Sequence, residues 1–302
     1  MFRSNTGMSR ALVRRETTAG YLFLLPSLFF FITFVLYPMF MCIYTSFFDS
    51  NMGKNAVDVF VGLGNYKELF QDKLFLGALK NTVLIVVVAV PTVCAFSLWV
   101  ATAIYDMKPA LTSAFRCIFY LPVVTGSVAV TVVWKWMYNN RYGVFNYLFK
   151  SLGIIDQNIN WLGDARFALW CIILILFTTS VGQPIVLYVS ALGNVDHSLV
   201  EAAEVDGANR RQVFWKIKWA QIMPTTLYIL IITTINSFQC FALIQLLTSG
   251  GPTHSTDTIM YYIYYTAFKL YRYGYGNAMG VVLMVIIAVL SAVQFKLGQR
   301  SD

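Results

Sequence analysis

Between two long apolar runs lies a polar segment, Glu201-Ala202-Ala203-Glu204-Val205-Asp206-Gly207-Ala208, with its continuation to Pro224. Ser198 precedes Glu201 by three positions, which is the spacing of a capping box, so a short helix is predicted to begin at Ser198. The alanines favour its continuation, and Gly207 stands where a left-handed residue would end it. The segment therefore predicts a short helix that stops at a glycine.

A second short helix is predicted directly after that glycine. Asn209 and Gln212 repeat the cap signal. The apolar face of this helix comprises Val213, Phe214 and Ile217, and the basic residues around it are Arg210, Arg211, Lys216 and Lys218. Two small helices hinged at a glycine and flanked by apolar runs indicate a docking element for another protein.

The whole segment resembles the EAA loop of the permease subunits of binding-protein-dependent ABC importers. The matching positions are Glu201, Ala202, Ala203, Asp206, Gly207, Ala208, Phe214, Ile217 and Pro224. Ala220 departs from the pattern, because the family usually has a proline there, and a straighter start of the next span is expected. The resemblance implies a coupling loop that inserts into a cleft of a cytoplasmic ATPase subunit. An ordinary capped helix-turn-helix between two spans is the alternative interpretation.

The composition indicates a membrane protein. Of 302 residues, 58% are apolar and only 12% are charged, whereas a soluble domain carries about 25% charged residues. Several apolar runs exceed the ~20 residues that a helix needs to cross the hydrocarbon core. The net charge of +8 is therefore interpreted as a signal for membrane orientation and not for binding nucleic acid.

Six spans are predicted from the apolar runs, because in hydrocarbon only a helix satisfies its own backbone polar groups. Their approximate ranges are 21–47, 81–104, 115–138, 167–192, 222–247 and 276–295. Prolines are expected to break the first span at Pro26 and Pro38, and a short amphipathic helix is expected from about Lys67 to Phe75. The prediction is an all-α polytopic membrane protein, with the permease fold of type I ABC importers implied by the resemblance.

The distribution of Lys and Arg predicts that both chain termini and the coupling loop face the cytoplasm. Arginines cluster before the first span and around the coupling loop. The resulting division is an N-terminal cytoplasmic tail (1–18), a transmembrane permease domain (19–296) that contains the coupling loop (193–219), and a C-terminal cytoplasmic tail (297–302). The predicted location is the bacterial cytoplasmic membrane.

Catalytic and metal-binding motifs are missing from the sequence. It has no Gly-x-x-x-x-Gly-Lys-Ser/Thr phosphate-binding loop, no pair of cysteines in Cys-x-x-Cys spacing and only two histidines, far apart. No Asp or Glu lies in the middle of a predicted span, which argues against a carrier driven by protons or sodium ions. The sequence thus predicts a translocation subunit that is not an enzyme and has no cofactor or metal, with transport energy supplied by another subunit.

Neutral polar residues inside the spans predict a path for an uncharged polyhydroxylated solute. Thr233, Ser237 and Cys240 share one helical face, and Asn236 and Gln239 beside them need polar partners. By resemblance to the maltose-type permeases, the matching pocket positions are Ser127, Thr178, Val181, Gly182, Thr233, Ser237 and Cys240. Hydrogen bonding between helices is the alternative account for each serine or threonine.

Other segments resemble the carbohydrate branch of the family, in particular the F-type subunits of maltose permeases. They are Gly20 to Pro26, Phe60 to Tyr66, Leu246 to Pro252, Tyr264 to Phe268, and Gly274 to Gly276. This resemblance implies a sugar substrate, a second homologous permease subunit, two ATP-binding subunits and an extracytoplasmic sugar-binding protein. The alternatives are an ABC permease for glycerol phosphate or a polyamine, or a carrier or channel that works alone.

Overall fold

A computed structural model describes residues 10–50 and 58–298, so the ends of the two predicted tails, 1–9 and 299–302, lie outside the described residues. The helices are α1 (Arg10–Phe31), α2 (Tyr37–Thr45), α3 (Gly64–Leu69), α4 (Lys73–Ile104), α5 (Pro109–Val124), α6 (Ser127–Met137), α7 (Val144–Ser151), α8 (Ala168–Ser180), α9 (Gly182–Gly193), α10 (His197–Val205), α11 (Arg210–Val213), α12 (Trp219–Phe238), α13 (Ala242–Leu247), α14 (Ile259–Tyr264) and α15 (Tyr273–Gly298). Three π-helical turns cover Ile32–Leu36, Phe214–Lys218 and Tyr265–Lys269, and a short antiparallel hairpin pairs β1 (Phe48–Asp49) with β2 (Val59–Phe60).

Five helical segments are long and apolar enough to cross a membrane within the described ranges. They are Thr17–Thr45, Lys73–Ile104, Ala168–Gly193, Arg210–Leu247 and Tyr273–Gly298. The pair of α5 and α6 makes a sixth span if the two helices are counted together. The six predicted spans thus each have a counterpart, with boundaries that differ by several residues.

The third span is not the continuous helix that the sequence predicts. α5 and α6 meet at an angle of 94°. The helix runs past Pro122 and ends at Val124, where the backbone of Thr125 becomes extended. Gly126, also extended, then starts the new direction. The bend therefore lies at Thr125 and Gly126, beyond the proline.

The first span is continuous, contrary to the predicted breaks at its prolines. α1 contains Pro26, and the π-helical turn Ile32–Leu36 joins it to α2 without an interruption. In that turn Tyr37 N–H donates to the Ile32 carbonyl, five residues back. Because Pro38 has no N–H to donate, this wider turn precedes it and keeps the helix intact.

The second span begins earlier than predicted, and the amphipathic helix expected from Lys67 to Phe75 is divided. α3 ends at Leu69, and α4 begins at Lys73. Asp72 lies between them and accepts a hydrogen bond from Leu74 N–H at 2.8 Å, as an N-cap residue does. The Asp72 carboxylate thus caps the start of α4 in the gap that separates it from α3.

Asp72 also joins the N-terminal end of α4 to two later elements. Its second oxygen accepts hydrogen bonds from the hydroxyls of Tyr262 in α14 (2.8 Å) and Tyr275 in α15 (2.9 Å). Tyr262 is buried. Burial alone would raise the pKa of Asp72, but the bonds from Tyr262, Tyr275 and Leu74 outweigh it and lower the pKa.

We expect Asp72→Ala to lower the thermal stability of the purified protein, because it removes one cap and two interhelical bonds. Each is worth about 1 kcal/mol. Since the folded-state pKa of Asp72 lies below its ordinary value of 3.8, this stabilisation is present above about pH 4 and is lost as the pH falls further. Thermal melts of both proteins should differ by a constant amount from pH 7 to pH 5. A difference that vanished within that range would contradict the assignment.

The main core joins the second, fourth and fifth spans at the end next to the polar segment. Its most buried members include Ala101 of α4, Ile185 and Tyr188 of α9, and Ile222 and Ile229 of α12. Two buried polar contacts support it, because Ser97 donates to the Val181 carbonyl and Thr112 donates to the Ile104 carbonyl. This packing holds α4, α9 and α12 together around the path described below.

Candidate translocation path and coupling loop

A first cavity of about 150 Å³ lies between α5, the junction of α8 and α9, and α12. Its polar lining residues are Thr179, Ser180, Gln183, Tyr228, Thr233 and Asn236, and its apolar lining residues are Val123, Pro184, Leu187, Ile229 and Ile232. Among the described residues, none with a charged side chain lines it. The wall thus offers hydroxyl and amide groups on an otherwise apolar surface.

A second cavity of about 340 Å³ adjoins the first, because Val123 and Thr179 line both. It lies in the bend between α5 and α6 and reaches the break between α12 and α13. Its polar residues are Thr125, Ser127, Thr179, Gln239 and Cys240. The bend at Thr125 therefore opens space that a straight third span would fill, and the two cavities form one candidate path.

Gly182 permits a close contact beside this path. A Cβ atom added at Gly182 would lie 2.4 Å from the Phe119 carbonyl oxygen and 2.8 Å from a methyl group of Val123. A side chain there would have to push the backbone of α5 away. The glycine thus brings α5 and α9 together at the position where Val123 separates the two cavities.

The structure places only some of the predicted path residues at the cavities. Thr233 and Asn236 line the first cavity, and Ser127, Gln239 and Cys240 line the second. Thr178, Val181, Gly182 and Ser237 line neither. Thr178 donates to the Ile175 carbonyl of its own helix, and Val181 and Ser237 are 4% and 3% exposed. A role for these four in the path stays a prediction.

Sequence reasoning did not select several residues that line the first cavity, namely Thr179, Ser180, Gln183 and Tyr228. The face of α12 that lines it carries Tyr228, Ile232 and Asn236 at intervals of four residues. Of the predicted residues on this helix, Thr233 and Asn236 also line the cavity, whereas Ser237 does not. Tyr228 could have been found from its spacing of four and eight residues from Ile232 and Asn236.

The first helix of the coupling loop is capped two residues before the predicted position. α10 starts at His197 with Asp196 as its N-cap, whose carboxylate accepts hydrogen bonds from the N–H and the hydroxyl of Ser198. The predicted capping box of Ser198 with Glu201 is therefore wrong. An aspartate carboxylate next to the helix N-terminus is the stronger acceptor, and the serine becomes a donor to it.

Gly207 ends α10 as predicted. Its φ angle is +82°, in the left-handed region. Ala208 N–H donates to the Ala203 carbonyl at 2.9 Å, and Gly207 N–H donates to the Glu204 carbonyl at 3.1 Å. This is the Schellman pattern of hydrogen bonds, which satisfies the last carbonyl groups of a helix.

The second half of the loop differs from the predicted separate helix. The capping box of Asn209 and Gln212 is confirmed, with both reciprocal bonds present. From Arg210, however, the helix continues through the π-helical turn Phe214–Lys218 into α12. Ala220 lies within this continuous helix, as expected for a chain that lacks the usual proline. The fifth span therefore reaches into the coupling loop itself.

A cleft of about 310 Å³ lies between the two arms of the loop. Ala203, Asp206, Gly207, Ala208, Gln212, Lys216 and Ile217 line it. Glu201 and Ala202 are exposed on α10, and Val205 is 87% exposed. Phe214 is partly buried and packs on the main core instead. The loop thus has one arm open to a partner and the other fixed to the spans.

Residues 73–302 match the protein family described as the inner membrane component of binding-protein-dependent transport systems. The chain belongs to this family. The match includes the coupling loop and both cavities. The resemblance of the segment from Glu201 to Pro224 is thereby confirmed, and the permease is a membrane component of an importer that works with a binding protein.

Relatives and a solved structure agree with this membership along almost the whole chain. The probable ABC transporter permease protein YesP of Bacillus subtilis is 33% identical over 288 residues, which cover 94% of this chain and 91% of that protein. The lactose transport system permease protein LacF of Rhizobium radiobacter is 32% identical, with 94% and 95% covered. A chain of a bacterial alginate ABC transporter, solved in complex with an alginate pentasaccharide-bound periplasmic protein, has the same fold (TM-score 0.82, 24% identity, 95% and 96% covered).

Proposed function

We propose that this permease is a membrane-spanning subunit of an ATP-driven importer that translocates a sugar, in particular an oligosaccharide. The observation that carries the proposal is the path lined by hydroxyl and amide groups. Among the described residues, its walls include no charged side chain. A glycerol phosphate would favour Arg or Lys in the wall, and a polyamine would favour Asp or Glu. The lactose transport assigned by name to LacF supports the sugar.

Its partners are a second homologous permease subunit, two ATP-binding subunits and an extracytoplasmic sugar-binding protein. The exposed arm of the coupling loop supports a cytoplasmic partner, because Val205 and the cleft beside Gly207 offer it an apolar contact and a recess. The ATP is hydrolysed on those separate subunits, since the sequence has no phosphate-binding loop. A carrier or channel working alone leaves this loop without a role.

Uptake into proteoliposomes tests the proposal directly. The permease is co-expressed with the other proposed subunits. The purified complex is then reconstituted with its binding protein and supplied with Mg-ATP. Labelled lactose, raffinose and maltotriose are compared with sn-glycerol 3-phosphate and spermidine. We expect ATP-dependent accumulation of at least one of the sugars and none of the charged solutes. Mass spectrometry of the solute carried by the purified binding protein identifies the sugar, and a phosphate ester or polyamine there would contradict the proposal.

The proposed topology has both termini and the coupling loop in the cytoplasm and places the permease in the inner membrane. Reporter fusions after Asp302 and within the loop Asn194–Lys218 are expected to show cytoplasmic activity, and a fusion near Asp156 extracytoplasmic activity. The reason is the cluster of basic residues in the N-terminal tail and around the coupling loop, together with an even number of spans, which puts both termini on one side. Extracytoplasmic activity at either of the first two sites would contradict this orientation.

A further inference from the structure

The coupling loop is fastened to the second span by a contact that the family pattern does not contain. Lys218, the last residue of the π-helical turn, donates a hydrogen bond from Nζ to the hydroxyl of Tyr105. The same ammonium group lies at the hydroxyl edge of the ring, 4.7 Å from its centre. Burial raises the pKa of Tyr105, so its hydroxyl stays neutral at physiological pH and accepts the bond. The two residues are 113 positions apart in the chain.

This contact continues towards the path through the third span. Tyr105 is the C-cap residue of α4, directly after Ile104. The carbonyl of Ile104 accepts a hydrogen bond from the hydroxyl of Thr112 in the first turn of α5, at 2.9 Å. α5 then runs to Val123, which lines both cavities. A chain of polar contacts and one rigid helix thus joins Lys218 to the bend of the third span.

The fifth span needs no such contact, because its helix is continuous with the coupling loop from Arg210. The other arm is tied to that same helix, since Asp196 N–H donates to the Gln221 side-chain oxygen at 3.0 Å. A displacement of the loop therefore moves α12 directly. It moves the cytoplasmic ends of α4 and α5 only through side-chain contacts.

We propose that Lys218 and Tyr105 form a latch that passes the movement of the coupling loop to the second and third spans, so that both walls of the path move together. The proposal rests on the proposed function, because it assumes an ATPase that moves the loop. Lys218 and Tyr105 are positioning residues in this scheme and touch neither sugar nor ATP. The latch acts together with the continuous helix, which moves the opposite wall.

The test measures how strongly the sugar-loaded binding protein stimulates Mg-ATP hydrolysis by the reconstituted complex. Lys218→Met keeps the aliphatic stem but removes the charge and the donor, and we expect the stimulation ratio to fall about fivefold or more. Lys218→Arg retains a cation and donors and should restore most of the ratio. Tyr105→Leu should lower the ratio as Lys218→Met does, and the double variant should be no worse than either single variant. Lys108→Met is the matched control, because its exposed side chain has no polar partner among the described residues.

Three outcomes would overturn the latch. They are a wild-type ratio in Lys218→Met, additive losses in the double variant, or a loss of complex recovery and thermal stability with the stimulation ratio unchanged. Complex recovery and melting temperature are therefore measured on every variant. The wild-type complex is assayed first. If it is not stimulated by its binding protein at all, the proposed function fails before any variant of the latch is considered.

Discussion

Replacing Gly207 with valine is expected to abolish the stimulation of ATP hydrolysis by the loaded binding protein while the permease still inserts and assembles. Gly207 has a φ angle of +82°, and a residue with a Cβ atom costs about 1–2 kcal/mol more in that conformation. A β-branched side chain is the least tolerant of it. The loop would adopt another backbone conformation and lose the two hydrogen bonds that Gly207 and Ala208 make to α10.

The matched control is Gly207→Asn, because asparagine adopts the left-handed conformation more readily than other residues with a side chain. A Cβ atom at Gly207 meets no atom within 4 Å, so the comparison isolates the backbone conformation from steric clash. We expect asparagine to keep most of the stimulation and valine to lose it, with equal amounts of complex in the membrane. Glu201→Ala, on the exposed arm, should lower stimulation in the same direction. Wild-type stimulation in both Gly207→Val and Glu201→Ala would refute the coupling role of the loop.

Replacing Asn236 with leucine is expected to reduce sugar uptake by about tenfold or more while stimulated ATP hydrolysis persists at least in part. Asn236 is exposed and lines the first cavity beside Thr233. Leucine removes an amide that can bond a sugar hydroxyl and places a branched apolar group in a cavity of only about 150 Å³. One lost hydrogen bond to a bound solute is worth about 1 kcal/mol, and obstruction of the path adds to it.

The neighbouring Ser237 gives the contrasting result. It is 3% exposed and lines neither cavity, so Ser237→Leu should overpack the helix contacts by about 1–3 kcal/mol. We expect a lower melting temperature with a proportionate loss of uptake. Uptake and melting temperature of the purified complex are measured together for both variants. Unchanged uptake in Asn236→Leu would remove this face of α12 from the path. A selective loss of uptake in Ser237→Leu would place Ser237 in the path, as the sequence predicts.

The expected effects of Gly207→Val on ATP hydrolysis and of Asn236→Leu on uptake both assume that coupling and translocation occupy different parts of the permease. The segment Arg210–Leu247 carries the second arm of the coupling loop at one end and the lining residues Thr233, Asn236 and Gln239 near the other. The π-helical turn Phe214–Lys218 lies between them, and such turns are frequent at functional sites. Because the loop and the lining residues lie at opposite ends of this segment, we expect changes in the loop to affect mainly hydrolysis and changes near Asn236 to affect mainly uptake.

The sequence alone determined the features that depend on local chemistry. Runs of apolar residues predicted six spans because hydrocarbon leaves a backbone no partner but itself. A glycine after a helical run predicted the left-handed residue at 207, and the spacing of Asn209 and Gln212 predicted their reciprocal cap. These signals are confirmed because each acts within a few residues of its own position. The cap at Asp196 was missed because two acceptors, Asp196 and Ser198, stood close together and the stronger one prevailed.

Only the tertiary structure decided which faces meet and where the path runs. Lipid chains are as apolar as leucine, so the pattern along a span does not reveal which side packs on a neighbour and which side lines a cavity. The set of residues that line each cavity, the cavity in the bend at Thr125 and the contact of Gly182 with Phe119 all depend on α5, α9 and α12 together. The pair of Lys218 and Tyr105, 113 positions apart, could be found only after the chain had brought them together, because neither residue carries a local signal for the other.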